Sequence, residues 1–431
     1  MGTSPAVSFE WVNHASFVLR GAGVSLLADP WLVGSVFNDG YDLLSPTVFT
    51  AAEFARVTHI WYSHEHPDHF SPPTIRMIPE ADRRRIVVLF QRTADRKVAK
   101  YCEGAGFKVV ELESKRPYEV APGFAVTCAP HGNGDDSWML IETGGMRILN
   151  LNDVWLRSAE EVQGMARDVG KVDVIFEQFS YANWSGKPGD AALTAWDRGT
   201  LEKIKEVADA VRPRVIVPCA SFMRFSHKEN AYLNAGAIRI RTAFDYIAKN
   251  TEATPVVLYP GDRWDPTQPH DSTSALQRYE RDETAQPPLR TSAVVPVADL
   301  ERLGQAYVAR MKAFHGLHSV WRPLLKRYFP SVPVYLTDLN VDVIFSPLDG
   351  VSVASGGKEP EIRMGSDSLA FLLKNDWGAS TLQSNVRFTA TEAGRIAFFQ
   401  TARLGLWRNN GRPFRVGRTF AAGVLRRLKR A

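Results

Sequence analysis

Between His64 and His69 the chain reads His-Glu-His-Pro-Asp-His, which sets His64, His66, Asp68 and His69 within six residues. Imidazole nitrogens and carboxylate oxygens are the donors that divalent cations take, and a folding core has no use for so many of them side by side. Direction supports a shared ion. Ile60, Trp61 and Tyr62 form an apolar run suited to a buried strand, which the chain leaves through Ser63. Side chains in extended backbone repeat every two residues, so His64 and His66 point the same way and reach one cation. Pro67 then turns the chain, and Asp68 and His69, at the start of the next segment, reach a second. The ordinary alternative is a polar loop with satisfied histidines. With 10 histidines in 431 residues, such a cluster arises by chance in on the order of one chain in a few thousand.

Stepping outward from the motif, Val7 to Asn13 and Ser16 to Arg20 pattern as paired strands, and Gly21 to Gly23 supplies a turn before the strand Val24 to Ala28. Asp29-Pro30-Trp31 ends that strand. Helical stretches such as Pro73 to Ile78 and Ala94 to Gly106 alternate with strands to about residue 260. Thr200 to Val211 is amphipathic, with Leu201, Ile204, Val207 and Val211 on one packing face. The chain is 45% hydrophobic and 23% charged, an ordinary globular composition with length enough for two domains. No apolar run is long enough to cross a bilayer, and the N-terminus lacks the basic and apolar regions of a leader, so a cytoplasmic protein is expected. Cys102, Cys128 and Cys219 are scattered and odd in number, which implies no disulfide framework. The net charge is +5, yet the segment from Arg403 onward holds nine Lys or Arg and no acid, which leaves the preceding part at about −4.

These patterns divide the chain into a metal domain over 1–265, a linker over 266–295 rich in Pro, Thr, Ser and Gln, a smaller α+β domain over 296–413 and a basic tail over 414–431. In the smaller domain Val297 to Phe314 and Ser366 to Lys374 read as helices. Val332 to Ser346, Val351 to Ala354 and Glu361 to Met364 read as strands. Ile362 to Phe388 faintly resembles sterol-carrier-type lipid-binding domains, with substrate positioning or dimerisation as the rival role. His315 and His318 are taken as structural. In the tail, Phe420, Val424, Leu425 and Leu428 share a helical face ringed by Arg426, Arg427, Lys429 and Arg430. Such a helix suits peripheral contact with anionic lipid, and so membrane association. No aromatic and basic interleaving accompanies the charge, so no nucleic acid is expected.

The H-x-H-x-D-H run is the signature of the metallo-β-lactamase superfamily, which the chain resembles well beyond that motif. The resemblance implies an α/β fold, an αβ/βα sandwich of two mixed sheets with helices outside and metals at one edge. It also implies the remaining ligands: His131 joining His64 and His66 on one metal, His227 joining Asp68 and His69 on the other, and Asp153 bridging, with Asp68 and Asp153 the catalytic pair. Asp29 and His14 are carried over as residues beneath the ligands that orient them. Tyr181, Trp184 and Lys187 lie in the loop where a superfamily substrate approaches, and Arg224 and Lys228 flank His227. These are expected substrate contacts, with basic groups suited to a small anionic substrate.

Asn13 to Ser16, Leu27 to Leu32, Tyr62 to His69, Ser71 to Thr74, Ile148 to Asp153, Ser226 to Tyr232 and Pro260-Gly261 together look like the metal domain of the CMP-N-acetylneuraminate hydroxylase family. That resemblance implies two iron ions, dioxygen and external electrons, and hydroxylation of an amino-sugar or similar anionic conjugate. The family's Rieske centre needs a Cys-x-His, which these residues do not contain, so a separate ferredoxin or reductase is the expected electron source. The same His and carboxylate donors also take zinc, which implies hydrolysis of a phosphodiester, ester or lactone, as in enzymes resembling N-acyl-phosphatidylethanolamine phospholipase D or ascorbate-6-phosphate lactonase. A metal-containing lipid- or metabolite-binding protein is the third expectation. Complete ligation argues against it, because structural sites seldom hold two metals with open positions.

Overall fold

The computed structural model of the chain describes residues 7–132, 136–181, 191–317, 322–356 and 359–414, with the backbone alone defined for 191–198. It forms two compact units. The first runs to Val36, from Tyr41 to Phe225 and from Leu233 to Pro288. The second takes Phe37–Gly40, Ser226–Tyr232 and the chain from Leu289 onward.

The first unit holds two seven-stranded sheets. One begins at the edge strand Arg263–Trp264, runs antiparallel through Ser8–Asn13, Ser16–Gly21 and Val24–Ala28, and continues through parallel pairings to His59–Tyr62, Val87–Gln91 and Lys108–Leu112. The other repeats the plan: Tyr118–Ala121, Phe124–His131, Asp136–Thr143 and Met146–Asn152 are antiparallel, and Val174–Gln178, Val215–Cys219 and Thr254–Pro255 follow in parallel. The sheets meet through aromatic side chains. Phe17 stacks on Phe176 with ring centres 4.1 Å apart, and Phe9 lies 5.3 Å from the same ring. On the outer face of the first sheet, Val12, Val18, Leu27 and Ile60 pack under Ile75, Val98 and Cys102 of the helices Pro72–Met77 and Lys97–Gly104. On the outer face of the second, Leu149, Leu151 and Ile175 pack under Val162 and Met165 of Ala159–Val169 and Val207 and Val211 of Ala191–Val211. Burial on both faces is why these strands read as nearly unbroken apolar runs, and each fully buried aliphatic side chain contributes roughly 1.5–3 kcal/mol. The result is the αβ/βα sandwich.

The stretch 266–295 is not the linker its composition suggests. Thr273–Thr284 is a helix that buries Ala275, Leu276 and Tyr279 in the core between the sheets. The Tyr279 hydroxyl accepts from Trp11 Nε1 at 3.0 Å and donates to the Leu258 carbonyl at 3.0 Å. Polar composition concealed this helix because its apolar face is a narrow one.

In the second unit a five-stranded sheet runs in the order Gly350–Val353, Val341–Ser346, Val332–Leu336, Ile362–Met364, Phe388–Ala390. Helices Val297–His315, Ser366–Lys374, Gly378–Asn385 and Glu392–Asn409 accompany it. Gly304 lets the first helix approach the edge strand, since a Cβ there would lie 2.5 Å from Val351 N. His315 has both ring nitrogens engaged, Nε2 donating to the Leu404 carbonyl at 2.9 Å and Nδ1 accepting from Phe414 N at 2.9 Å. His318 and residues 415–431 of the basic tail lie outside the described residues. Among the described residues no helix is long and apolar enough to cross a membrane.

Candidate metal centre

Strand ends in the first unit converge on one edge of the sandwich. Ser8–Asn13 delivers His14, Val24–Ala28 delivers Asp29, His59–Tyr62 delivers Ser63 to His69, and Met146–Asn152 delivers Asp153. Non-glycine residues with left-handed backbone mark these exits: His14 at φ 46°, Asp29 at 39°, Asn152 at 43° and, after Val215–Cys219, Ala220 at 50°. Each such residue costs on the order of 1–3 kcal/mol, and clustering of that strain is characteristic of functional sites. Hydrogen bonds hold the bends. Asn13 Oδ1 accepts from His14 N at 2.9 Å, Asn152 Oδ1 accepts from Asp153 N at 2.6 Å, and Ala220 N donates to the His14 carbonyl at 2.9 Å.

Six donors gather into two groups whose ligand atoms lie within 4.8 Å of one another: His64, His66 and Asp153 in one, and His14, Asp68 and His69 in the other. Asp153 Oδ2 stands between them, 3.6 Å from His64 Nε2 and 3.5 Å from His69 Nε2. His69 Nε2, Asp68 Oδ1 and Asp153 Oδ1 are buried without a hydrogen-bond partner. Leaving such atoms unmatched costs about 1–3 kcal/mol apiece, so this concentration of bare donors fits a pair of cations. Thiolates take no part in either group: the buried Cys128 thiol is pushed up to about 12 by burial.

Asp29, fully buried, fixes the imidazoles. Its Oδ1 accepts from Ser63 N at 2.7 Å, and its Oδ2 accepts from Ser63 Oγ at 2.8 Å and from His69 Nδ1 at 3.0 Å. With the Ser63 hydrogen committed to Asp29, His64 Nδ1 donates to Ser63 Oγ at 2.9 Å. The pattern therefore assigns an Nδ1 proton on both rings and turns both Nε2 atoms to the cluster, where His64 Nε2 meets His66 Nδ1 at 2.8 Å. Burial opposes ionisation of Asp68, but the imidazoles of His69, His14 and His66 outweigh it and hold the carboxyl below its usual range. Burial likewise opposes the charge on His69, yet Asp153, Asp68 and Asp29 together push it up to about 10. His64 is lowered, chiefly by burial.

Several expected residues lie elsewhere. His131 Nε2 donates to the Trp155 carbonyl at 3.0 Å and stands 3.6 Å from Glu161. Strand parity explains it: Cys128 faces the core between the sheets while Ala129 faces outward, and His131 shares the parity of Ala129. His227 belongs to the second unit, where Nδ1 is 3.2 Å from Glu229 and Nε2 is 3.3 Å from the Ser292 hydroxyl. Glu229 in turn accepts from the fully buried Arg387 at 2.8 Å, and Arg387 also holds Asp367. Tyr181 is buried and donates its hydroxyl to the Leu233 carbonyl. Arg224 clamps the carbonyls of Leu44 at 2.7 Å and Asp282 at 3.2 Å. Both side chains therefore brace loops. Lys228 is exposed in the second unit, and Trp184 and Lys187 lie outside the described residues. Ser63 went unnoticed in the sequence because its partner Asp29 is 34 positions away. The parallel pairing of Ala28 with Trp61 is what brings the two strand ends together.

Known proteins resemble this chain in part. The family described as beta-lactamase superfamily domain matches residues 8–176, which include every donor of both groups. A cytidine monophosphate-N-acetylneuraminic acid hydroxylase of Mus musculus is 24% identical over 238 residues, 53% of this chain, and the match spans 41% of the hydroxylase's length. A UPF0173 metal-dependent hydrolase of Azorhizobium caulinodans is 30% identical over 217 residues, 48% of this chain and 83% of the hydrolase. Among solved structures, CmlA, a diiron β-hydroxylase from Streptomyces venezuelae, is similar over 62% of this chain and 55% of its own, with 20% identity and a TM-score of 0.45. With its signature motif, its paired donor groups and a relative matched over most of that relative's length, the chain belongs to the metallo-β-lactamase superfamily of metal-dependent enzymes.

Proposed function

We propose that the protein is a dinuclear metal-dependent oxygenase that hydroxylates an amino-sugar or similar small anionic conjugate. The observation that carries the dinuclear part is Asp153 Oδ2, held 3.6 Å from His64 Nε2 and 3.5 Å from His69 Nε2, so that one carboxylate faces both donor groups. His64, His66 and Asp153 would hold one ion, and Asp68, His69 and Asp153 the other. Two ferrous ions in such a set would supply dioxygen activation, and a separate ferredoxin or reductase would supply the electrons. The chain's own part is orientation and exclusion. Asp29 and Ser63 hold the ring nitrogens in register, Asn152 holds Asp153, and the buried strand ends keep bulk water from Asp68 and His69. Similarity to proteins named as hydroxylases over about half of this chain favours this chemistry.

The 30% identity to a protein named as a metal-dependent hydrolase favours a second reading, in which zinc serves hydrolysis of an ester, lactone or phosphodiester. Elemental analysis of protein from cells supplied with iron and zinc, followed by dioxygen uptake after chemical reduction, separates the two. Near two irons per chain with uptake is expected. Two zincs, no uptake and turnover of a phosphodiester or lactone would overturn the oxygenase.

A further inference from the structure

His14 has no place in the ligand pattern that the family resemblance implies, yet its surroundings are those of a ligand. It is 2% exposed, and neither Nδ1 nor Nε2 has a hydrogen-bond partner. His315, by contrast, has both ring nitrogens engaged, by the Leu404 carbonyl and Phe414 N. The His14 ring instead stands edge-on between Trp31, 5.4 Å away, and His69, 5.7 Å away. Its backbone is bent to φ 46° just past the irregular register between Trp11 and Asn13, and Asn13 and Ala220 pin it there from either side. The bend aims the ring into the cluster.

We propose that His14 Nε2 is a direct ligand of the ion held by Asp68 and His69. Bonds of about 2.1 Å put any two ligands of one ion at most about 4.2 Å apart. His14 Nε2 lies 3.7 Å from Asp68 Oδ2, and His69 Nε2 lies 3.8 Å from the same oxygen, so both pairs meet the limit. Asp68, His69, His14 and the shared Asp153 then make a complete four-donor set from the first unit alone. The assignment rests on the dinuclear reading above and gives His14 a contact that an orienting residue would not make.

The test uses the full chain carrying His14→Gly or His14→Asn, because both residues tolerate left-handed backbone and neither reaches the ion. Circular dichroism and thermal melting of the metal-free proteins check folding. Zn2+ and Co2+ are then titrated under a competing chelator. Wild type should take up two ions per chain. Both variants should hold the first with unchanged affinity and bind the second at least about 100-fold more weakly, and the Co2+ absorption of the second equivalent should be altered or lost. Two ions bound with unchanged affinity would overturn the proposal. So would a weakening that leaves the Co2+ spectrum intact, which marks a positioning role, or loss of both ions together. A wild-type chain that takes up fewer than two would overturn the dinuclear reading and this assignment with it.

Discussion

Asp29→Asn keeps the shape of the site and reverses its hydrogen-bond logic. Asp29 accepts from Ser63 N at 2.7 Å, Ser63 Oγ at 2.8 Å and His69 Nδ1 at 3.0 Å, all in full burial. An asparagine retains one acceptor, enough for Ser63 N, and places an amide N–H where Oδ2 received the other two. The contact with His69 survives only if Nδ1 becomes the acceptor, which moves the ring proton to Nε2. Nε2 is the atom that faces Asp153 at 3.5 Å and Asp68 at 3.8 Å; losing one proton frees it in the wild type, whereas the neutral ring of the variant keeps its proton there, where a ligand lone pair belongs. Hydrogen bonds to a charged group are worth about 1.5–3 kcal/mol against about 0.5–1.5 for neutral ones. Exchanging two of them costs the metal-free protein on the order of 2 kcal/mol. Loss of such a partner typically weakens metal binding 10–100-fold, about 1.4–2.8 kcal/mol. The forced tautomer sets that as the lower bound. Chelator competition reads the affinity and urea unfolding reads the stability. An Asp29→Asn protein that binds both ions within twofold of wild type would refute the claim that Asp29 sets the tautomers.

Further outcomes follow from the titrating groups. Burial alone would lower His69, but Asp153, Asp68 and Asp29 hold it up at about 10. A raised folded-state value stabilises the metal-free protein fully below pH 6.5 and fades as pH rises through about 10. Metal uptake at pH 8 should therefore release about one proton from this ring, countable by calorimetry in buffers of different ionisation enthalpy; no release would contradict it. Glu177, 6% exposed on the strand Val174–Gln178, is pushed up to about 8 by burial, with Lys203 offsetting part of the effect. Its stabilising share is complete below pH 4.5 and gone above about 8, so Glu177→Gln should leave melting at pH 4 nearly unchanged and stabilise the protein at pH 9 by roughly 2–4 kcal/mol. An equal shift at both pH values would count against it. Burial pushes the Cys102 and Cys128 thiols up to about 12 and Cys219 well above its ordinary value. Native protein at pH 7.5 should resist maleimide, and denatured protein should label at all three cysteines. Rapid labelling of any one in the native state would show that the burial is wrong.

Chemistry concentrated in a short run was the legible part. His64, His66, Asp68 and His69 announce metal binding within six residues, and the apolar Ile60 to Tyr62 announces the strand that carries them. Features set by partners far along the chain were not. Ser63 gains its role only when Ala28 pairs with Trp61, and His131 turns away through side-chain parity in a strand whose end could have been placed one residue either way. The helix Thr273–Thr284 hides in polar composition because three inward residues suffice to anchor it. Unit boundaries were equally opaque: Phe37–Gly40 and Ser226–Tyr232 join the second unit through bonds such as Asn385 Nδ2 to the Phe37 carbonyl at 2.9 Å and Asn230 Nδ2 to the Asn385 carbonyl at 2.6 Å. His14 was legible as a polar residue near the site. Its ligand-like character depends on a backbone bend that its residue type gives no hint of.

The central claim is that one carboxylate, Asp153, serves two ions. Metal content by elemental analysis on folded wild type and Asp153→Ala, each loaded with excess metal and desalted, tests it most directly. Two ions per wild-type chain and no more than one in the variant is the expected result. A variant that keeps both, or a folded wild type that retains fewer than two, would contradict the account.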